Sequence, residues 1–304
     1  MPLAALFPSA AAVQGEIRGR VMVRTAPVHP IGQQTVHLTI VERAVASERE
    51  AVTDAAGAFR FAGLPVGGIR VFVLHTEYAG VRYTTDRIVL TPTASVRTVD
   101  LAVYASSPDR SPLRAPLALA VVDVARGALR VSVIQRLENP TDRTLVSTPQ
   151  DPLDFPLPPK AESVSFLAGW GDPRIANGRI TDAFPLMPGR TEVAYAYGLE
   201  PRSALVEVPW TFPYGAQDVE VLVADTGLAA AADGLTARGS VQGPHGRFLR
   251  LSGGPVARGR QIVLRLRGVP LDRDPWPGAV AVGLAVVLAG GLALAWRRAV
   301  RTPT

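Results

Sequence analysis

Between residues 15 and 105 apolar and polar positions alternate with the period of two that a half-buried strand requires. "EIRGRVMV" sets Ile17, Gly19, Val21 and Val23 on one face, and "TVHLTIV" turns Val36, Leu38 and Ile40 inward with His37 and Thr39 outward. In "AFRF", Phe59 and Phe61 share a face opposite Arg60. "IRVFVLH" is apolar on both faces, Ile69, Val71 and Val73 against Phe72 and Leu74, the pattern of a central strand covered on both sides. The stretch "TDAAGAFRFAGLPVGG" supplies turns. Asp54 and Gly57 hold the first and fourth positions of a type I turn, with Gly57 free to take the left-handed conformation, which predicts a hairpin joining "EREAVT" to "AFRF". Pro65 and Gly67 then reverse the chain again. With "RIVL" and "VRTVDLAVY" this gives about seven short strands, turn signals about every 8–12 residues and no helical period, a small β-sandwich.

The order of these segments is specific. "GEIRGRV", "GQQTVHLTI", "VTDAAGAFRFAGLPVGGIRVFV" and "YAGVRYTTDRIVLTP" follow one another as the strands of the carboxypeptidase regulatory-like domain do, and this region resembles that member of the transthyretin-like superfamily. Gly19, Val21, Gly32, Val36, Leu38, Thr53, Asp54, Gly57, Phe59, Phe61, Leu64, Pro65, Gly67 and Val71 carry the resemblance; Ile69 stands where the family usually has Tyr. The resemblance implies a fold and an accessory, adhesive or spacer role, and no chemistry, because such modules sit on many unrelated proteins.

"SSPDRSPLRAP", Ser106 to Pro116, reads as a linker. Beyond it, "LALAVVDVA" and "LRVSVIQRLEN" meet at Arg126-Gly127 as strand, turn, strand, and "SVSFLA", "TEVAYAYGL", "ALVEVPW", "DVEVLVA", "RFLRL" and "QIVLRLRGV" are short strands between Pro and Gly. Residues 117–271 are predicted as a second, immunoglobulin-like antiparallel sandwich, or as two smaller lobes dividing near Pro201.

The pattern changes at the C-terminus. "GAVAVGLAVVLAGGLALAW", Gly278 to Trp296, has no charge. As a helix, about 19 residues span roughly 28 Å, the thickness of a bilayer core. Trp276 and Trp296 sit at its ends as interfacial indoles do, Gly283, Gly290 and Gly291 leave room for another helix, and Arg297, Arg298 and Arg301 place the tail on the cytoplasmic side. At the other end "PLAALFPSAAAVQG" reads as a signal-peptide remnant, an apolar run with an A-x-A-like site and no basic start. The expected organisation is therefore all-β, two antiparallel β-sandwich domains followed by one C-terminal transmembrane α-helix. Its boundaries are 1–14 (remnant), 15–105, 106–116 (linker), 117–271, 277–296 (span) and 297–304 (tail).

Composition narrows the functions. The formal charge is +6 over 304 residues, but the cations are, apart from Lys160, Arg scattered singly along strands, so no nucleic acid is expected as partner. There is no Cys, which excludes disulfides, thiolate catalysis and Cys-based zinc sites. Neither a zinc-protease histidine pattern, a G-x-S-x-G elbow nor a P-loop occurs, and an enzyme is not expected. Two aromatic features suit contact with a partner or an envelope polysaccharide. Trp170 lies in the Gly-flanked "GWGDPRIANG", and Trp210, Phe212 and Tyr214 align along "PWTFPYG", bracketed by Pro209 and Pro213 as an edge strand is. The plainer reading of such a row is core. His29 and His37, with Met22 nearby, are the residues on which a metal-handling role would rest. Surface histidines are the plainer reading there, and neither cofactor nor metal is expected. The sequence thus points first to a membrane-anchored extracytoplasmic accessory or scaffold protein with a membrane or periplasmic protein partner. An adhesin or carbohydrate-binding protein is the alternative.

Overall fold

A computed structural model describes residues 14–125, 128–243 and 246–271. The signal remnant before Gln14, and the span and tail with Trp276, Gly283, Gly290, Gly291, Trp296, Arg297, Arg298 and Arg301, lie outside the described residues. Among the described residues the regular structure is all β-strand, and no helix is long and apolar enough to cross a membrane. The chain divides into two compact units. One runs to Ser107 and takes in Asp142–Thr144; the other holds Pro108–Thr141 and the chain from Leu145 onward.

The first unit contains β1 (Gln14–Val23), β2 (His29–Pro30), β3 (Thr35–Glu42), β4 (Val45–Val52), β5 (Ala58–Pro65), β6 (Arg70–Tyr78), β7 (Val81–Thr84), β8 (Val96–Thr98), β9 (Leu101–Val103) and β10 (Ser106–Ser107). β1 is the hub of one sheet, antiparallel to β2 and β5 and parallel to β8 and β9; the other sheet has the order β4-β3-β6-β7 and is antiparallel throughout. Ile17, Val21, Phe59 and Phe61 of the first sheet are buried, as are Val36, Leu38, Phe72 and Leu74 of the second. Apolar area of this order, removed from water, is the main force holding the unit together. Tyr83 is buried among them, and its hydroxyl donates to the Tyr104 carbonyl at 2.8 Å and meets Thr144 Oγ1 at 2.8 Å, so its polar tip is satisfied.

Two details differ from expectation. The Asp54–Gly57 turn forms as expected, with Gly57 at φ +72°, its N–H donating to the Asp54 carbonyl, and the Asp54 carboxylate accepting from the N–H of Ala56 and Ala58. It is not a hairpin. β4 pairs with β3 and β5 with β1, so the turn carries the chain from one sheet to the other, as does the Pro65–Gly67 turn after it. Phe59 and Phe61 find buried places beside β1, whereas β4 is exposed along nearly its whole length and has its pairing edge taken by β3. β6 is internal in its sheet, yet its two faces are unequally covered: Phe72, Leu74 and Thr76 are buried on one, whereas on the other Val71 and Val73 are half-buried, His75 is buried, and Ile69, just before the strand, is 83% exposed.

In the second unit β11 (Arg114–Ala125) and β12 (Ala128–Asn139) form the expected hairpin. After β13 (Thr144–Leu145) come β14 (Leu153–Pro156), β15 (Glu162–Ala168), β16 (Arg174–Ala176), β17 (Arg179–Asp182), β18 (Gly189–Leu199), β19 (Leu205–Phe212), β20 (Asp218–Ala224), β21 (Ala229–Ala232), β22 (Thr236–Gly243), β23 (Gly246–Gly253) and β24 (Arg260–Arg267). The seven-stranded sheet β15-β18-β12-β11-β20-β23-β22 is mixed, not purely antiparallel, since β11 and β20 run parallel. A parallel neighbour has to arrive by a crossover, and here the chain makes three other strands of the same sheet (β12, β15, β18) and five of smaller sheets (β13, β14, β16, β17, β19) before β20 takes its place. The small sheets β14-β17-β16 and β19-β24-β21 contribute Phe155, Ile180, Val208, Trp210, Phe212 and Leu264 to one core with Val122, Val131, Tyr195 and Val221 of the large sheet. On the other face of the large sheet Leu119, Val121, Ile134 and Leu222 form a second, smaller cluster, which is why β11 and β20 read as continuous apolar runs.

Candidate functional site

The aromatic residues singled out from the sequence lie in the second unit. Trp210 and Phe212 do share a face of β19, but that face is the buried one: they are 6% and 1% exposed, with ring centroids 4.5 Å apart. The expected contact row is therefore core at these two positions. The physical reason is that β19 lies along one side of β24 and its Val208-Trp210-Phe212 face closes over the large sheet's core. The indole Nε1 of Trp210 is buried without a hydrogen-bond partner. Trp170, half-buried, donates Nε1–H to the Ala194 carbonyl at 2.7 Å and packs edge-on to Phe155, Phe166 and Tyr195. Tyr214 is half-buried beside Phe155, and its hydroxyl accepts the Asp154 N–H at 2.8 Å. Burial pushes the Tyr214 phenol up to about 12, and burial raises Tyr195 and Tyr197 too.

A different group of side chains comes together in the first unit, on the outer face of the sheet β4-β3-β6-β7. β3 and β4 are joined by a two-residue turn, Arg43-Ala44, both at positive φ, which fixes the ladder so that Glu50 faces His37 and Glu48 faces Thr39. On the other side of β3 the register with β6 sets His75 directly opposite His37. Cross-strand neighbours on one face stand within side-chain reach of each other. The two imidazoles stack with centroids 4.7 Å apart and planes within 5°. Glu48 Oε1 lies between them, 3.6 Å from His37 Nδ1 and 3.5 Å from His75 Nε2, and Glu50 Oε1 is 3.4 Å from His37 Nδ1.

Arg82, on β7, directs Nη2 to His75 Nε2 at 2.5 Å. Since a guanidinium only donates, Nε2 of His75 is an acceptor here and the ring is neutral. Burial, the Arg82 charge and the neighbouring His37 all hold His75 below the usual histidine range, and the Glu48 and Glu77 carboxylates oppose them. His37 Nδ1 is buried and makes no hydrogen bond. One atom each of His37, Glu48 and His75 lies within 4.8 Å of the other two, and together they could hold a metal ion.

His29, the residue first paired with His37, lies elsewhere: it is exposed on β2, with Nδ1 2.7 Å from the Pro27 carbonyl. His75 and Glu48 are the site residues that reading along single strands missed. Their signal was the two-residue turn after Glu42 and an outward histidine at the same height of the sheet on β6.

Elsewhere the arginine excess is distributed in pairs rather than patches: Arg60 with Glu16 at 2.6 Å, Arg250 with Glu220 at 2.6 Å, Arg265 between Glu207 and Asp233. Comparison with family models and with curated proteins finds no match to this chain.

Proposed function

We propose that this chain is a membrane-anchored extracytoplasmic protein. In this reading its two β-sandwich domains, the first of carboxypeptidase regulatory-like type, do no catalysis and serve as accessory or scaffold surfaces for another envelope or membrane protein. The observation that carries the reading is the uncharged run from Gly278 to Trp296, with Trp276 before it and Arg297, Arg298 and Arg301 around its end. The all-β character of both units supports it, since rigid sheets present fixed surfaces. The alternative, a polysaccharide-binding protein, loses Trp210 and Phe212 to the core and rests on the half-buried Trp170 and Tyr214.

Because the chain has no Cys, single introduced thiols report topology cleanly. Val45→Cys, at a position 70% exposed, reacts with a membrane-impermeant thiol reagent on intact cells, whereas Thr302→Cys reacts only after permeabilisation. Purification of the full chain from gently solubilised membranes then brings down a stoichiometric integral partner. Reaction of Thr302→Cys on intact cells defeats the topology, and a lone monomer defeats the accessory role.

A further inference from the structure

We propose that His37, Glu48 and His75 form a binding site for a divalent transition metal of the zinc type on the outer face of the first unit. The proposal is independent of the membrane anchor and of the accessory role.

Two features of the geometry carry it. The first is spacing. A tetrahedral ion with ligand bonds of about 2.0–2.1 Å keeps its donor atoms roughly 3.3 Å apart. The carboxylate oxygen of Glu48 already stands 3.6 Å and 3.5 Å from the two imidazole nitrogens, and all three atoms fall within 4.8 Å of one another. The rings stack within 5° of parallel, so loading turns the imidazoles out of the stack until both nitrogens face the ion beside Glu48. The second is the unused donor. Nδ1 of His37 is buried with no hydrogen bond, although two carboxylates face it. A metal ion would use the lone pair that the fold leaves without a partner.

Two imidazoles and one carboxylate are the donor set of an ion that keeps a fourth position open. With Glu48 half-exposed, that position faces solvent and the ion exchanges. Arg82 is the competitor, since its Nη2 occupies the lone pair of His75 that the ion would take. Loading therefore requires the guanidinium to turn aside, and Glu77, directly opposite Arg82 in the β6–β7 ladder, stands on the same face to receive it. Copper(II) would bind such donors more tightly than zinc wherever it is available.

The test uses the full-length chain in detergent, carrying an affinity tag without histidine, in equilibrium dialysis against Zn2+ and in titration with Co2+. The expected result is one Zn2+ per chain and the visible d–d absorption of a low-coordinate Co2+ site. His37→Gln and Glu48→Gln both lie on the outward face, away from the core. Each lowers the affinity by more than about 100-fold, beyond the 10–100-fold lost with outer-shell partners. His29→Gln leaves binding unchanged, and Arg82→Gln tightens it. Absence of bound zinc overturns the proposal. So does zinc held equally by His37→Gln and Glu48→Gln, zinc lost with His29, or weaker binding in Arg82→Gln.

Discussion

The two units treat their recognition-capable side chains in opposite ways. In the second, the aromatic residues that a sequence reader would offer to a partner are drawn inward: Trp210 and Phe212 close a core, and Trp170 is tied to the Ala194 carbonyl. In the first, the polar residues of three neighbouring strands are gathered on the outer face of a sheet, two imidazoles stacked and a carboxylate between them. Both arrangements come from period-two strands. The difference lies in what covers the face. β19 lies against the core of a large mixed sheet, whereas on the outer face of β3 and β6 His37, Val71 and Val73 are only half-buried beside their cross-strand neighbours. An aromatic row on a covered face is stability, and a polar row on a half-covered one is free for chemistry.

The most severe way to break this contrast is to remove Trp210. If it is core, Trp210→Ala lowers stability by about 3–5 kcal/mol, seen as an earlier urea midpoint with an unchanged slope. An unchanged midpoint would return the residue to the surface and revive the polysaccharide reading. Trp210→Phe costs less than is usual for such a change, because it also removes an indole N–H that has no partner.

The buried phenols make the same point through pH. The pKa of Tyr214 rises from 10.0 unfolded to about 12 folded, so the stability it represents is complete below pH 10 and drains away as pH climbs from 10 to about 12. Its share is at most about 2–3 kcal/mol. Unfolding midpoints of the wild-type chain should fall steeply over that range, and those of Tyr214→Phe less steeply. At neutral pH Tyr214→Phe loses about 1 kcal/mol, since the Asp154 N–H then lacks its acceptor. Equal alkaline slopes for the two proteins would mean that the phenol is solvated.

The first unit has its own tight place, at the hub strand rather than at the polar face. A Cβ on Gly19 would lie 1.9 Å from the Val99 carbonyl oxygen and 3.0 Å from Phe59 Cζ. Backbone cannot yield as a side-chain tip does, so Gly19→Ala costs about 1–3 kcal/mol through overpacking. A thermal shift within experimental error would show that β1 and the segment after β8 are looser than the geometry has them.

How much of this was legible depends on whether one strand or several were needed. The inward faces of β1, β3 and β5, the Asp54–Gly57 turn and the shared face of Trp210 and Phe212 follow from local period and turn chemistry, and the structure has them. The turn alone could not say that its two strands belong to different sheets, because that depends on β4 being taken by β3 and β5 by β1. The parallel pairing of β11 with β20 was likewise invisible, since a purely local signal carries no strand direction. For the imidazole pair, the outward orientation of His37 was readable. Its partner was not, because His75 arrives through the register of β3 with β6 and Glu48 through the register of β3 with β4. Pairing His37 with His29 rested on closeness in sequence, which a strand's geometry does not honour.

The smallest expected effect is the sharpest comparison. His37 is only partly covered, and its Nδ1 contributes no hydrogen bond to the fold. In chelated protein, therefore, His37→Gln shifts stability by no more than about 0.5 kcal/mol, as surface substitutions do. The same change must abolish any stabilisation by added Zn2+, which for the wild-type chain grows as RT ln(1 + [Zn2+]/Kd), about 2.7 kcal/mol at one hundred times Kd. Thermal scans with chelator and with zinc, on both proteins, separate the terms. A large loss in chelator would make His37 a structural residue like Trp210 and erase the difference between the two faces. A null effect in chelator together with a lost zinc response means that this face was kept for a ligand and not for the fold.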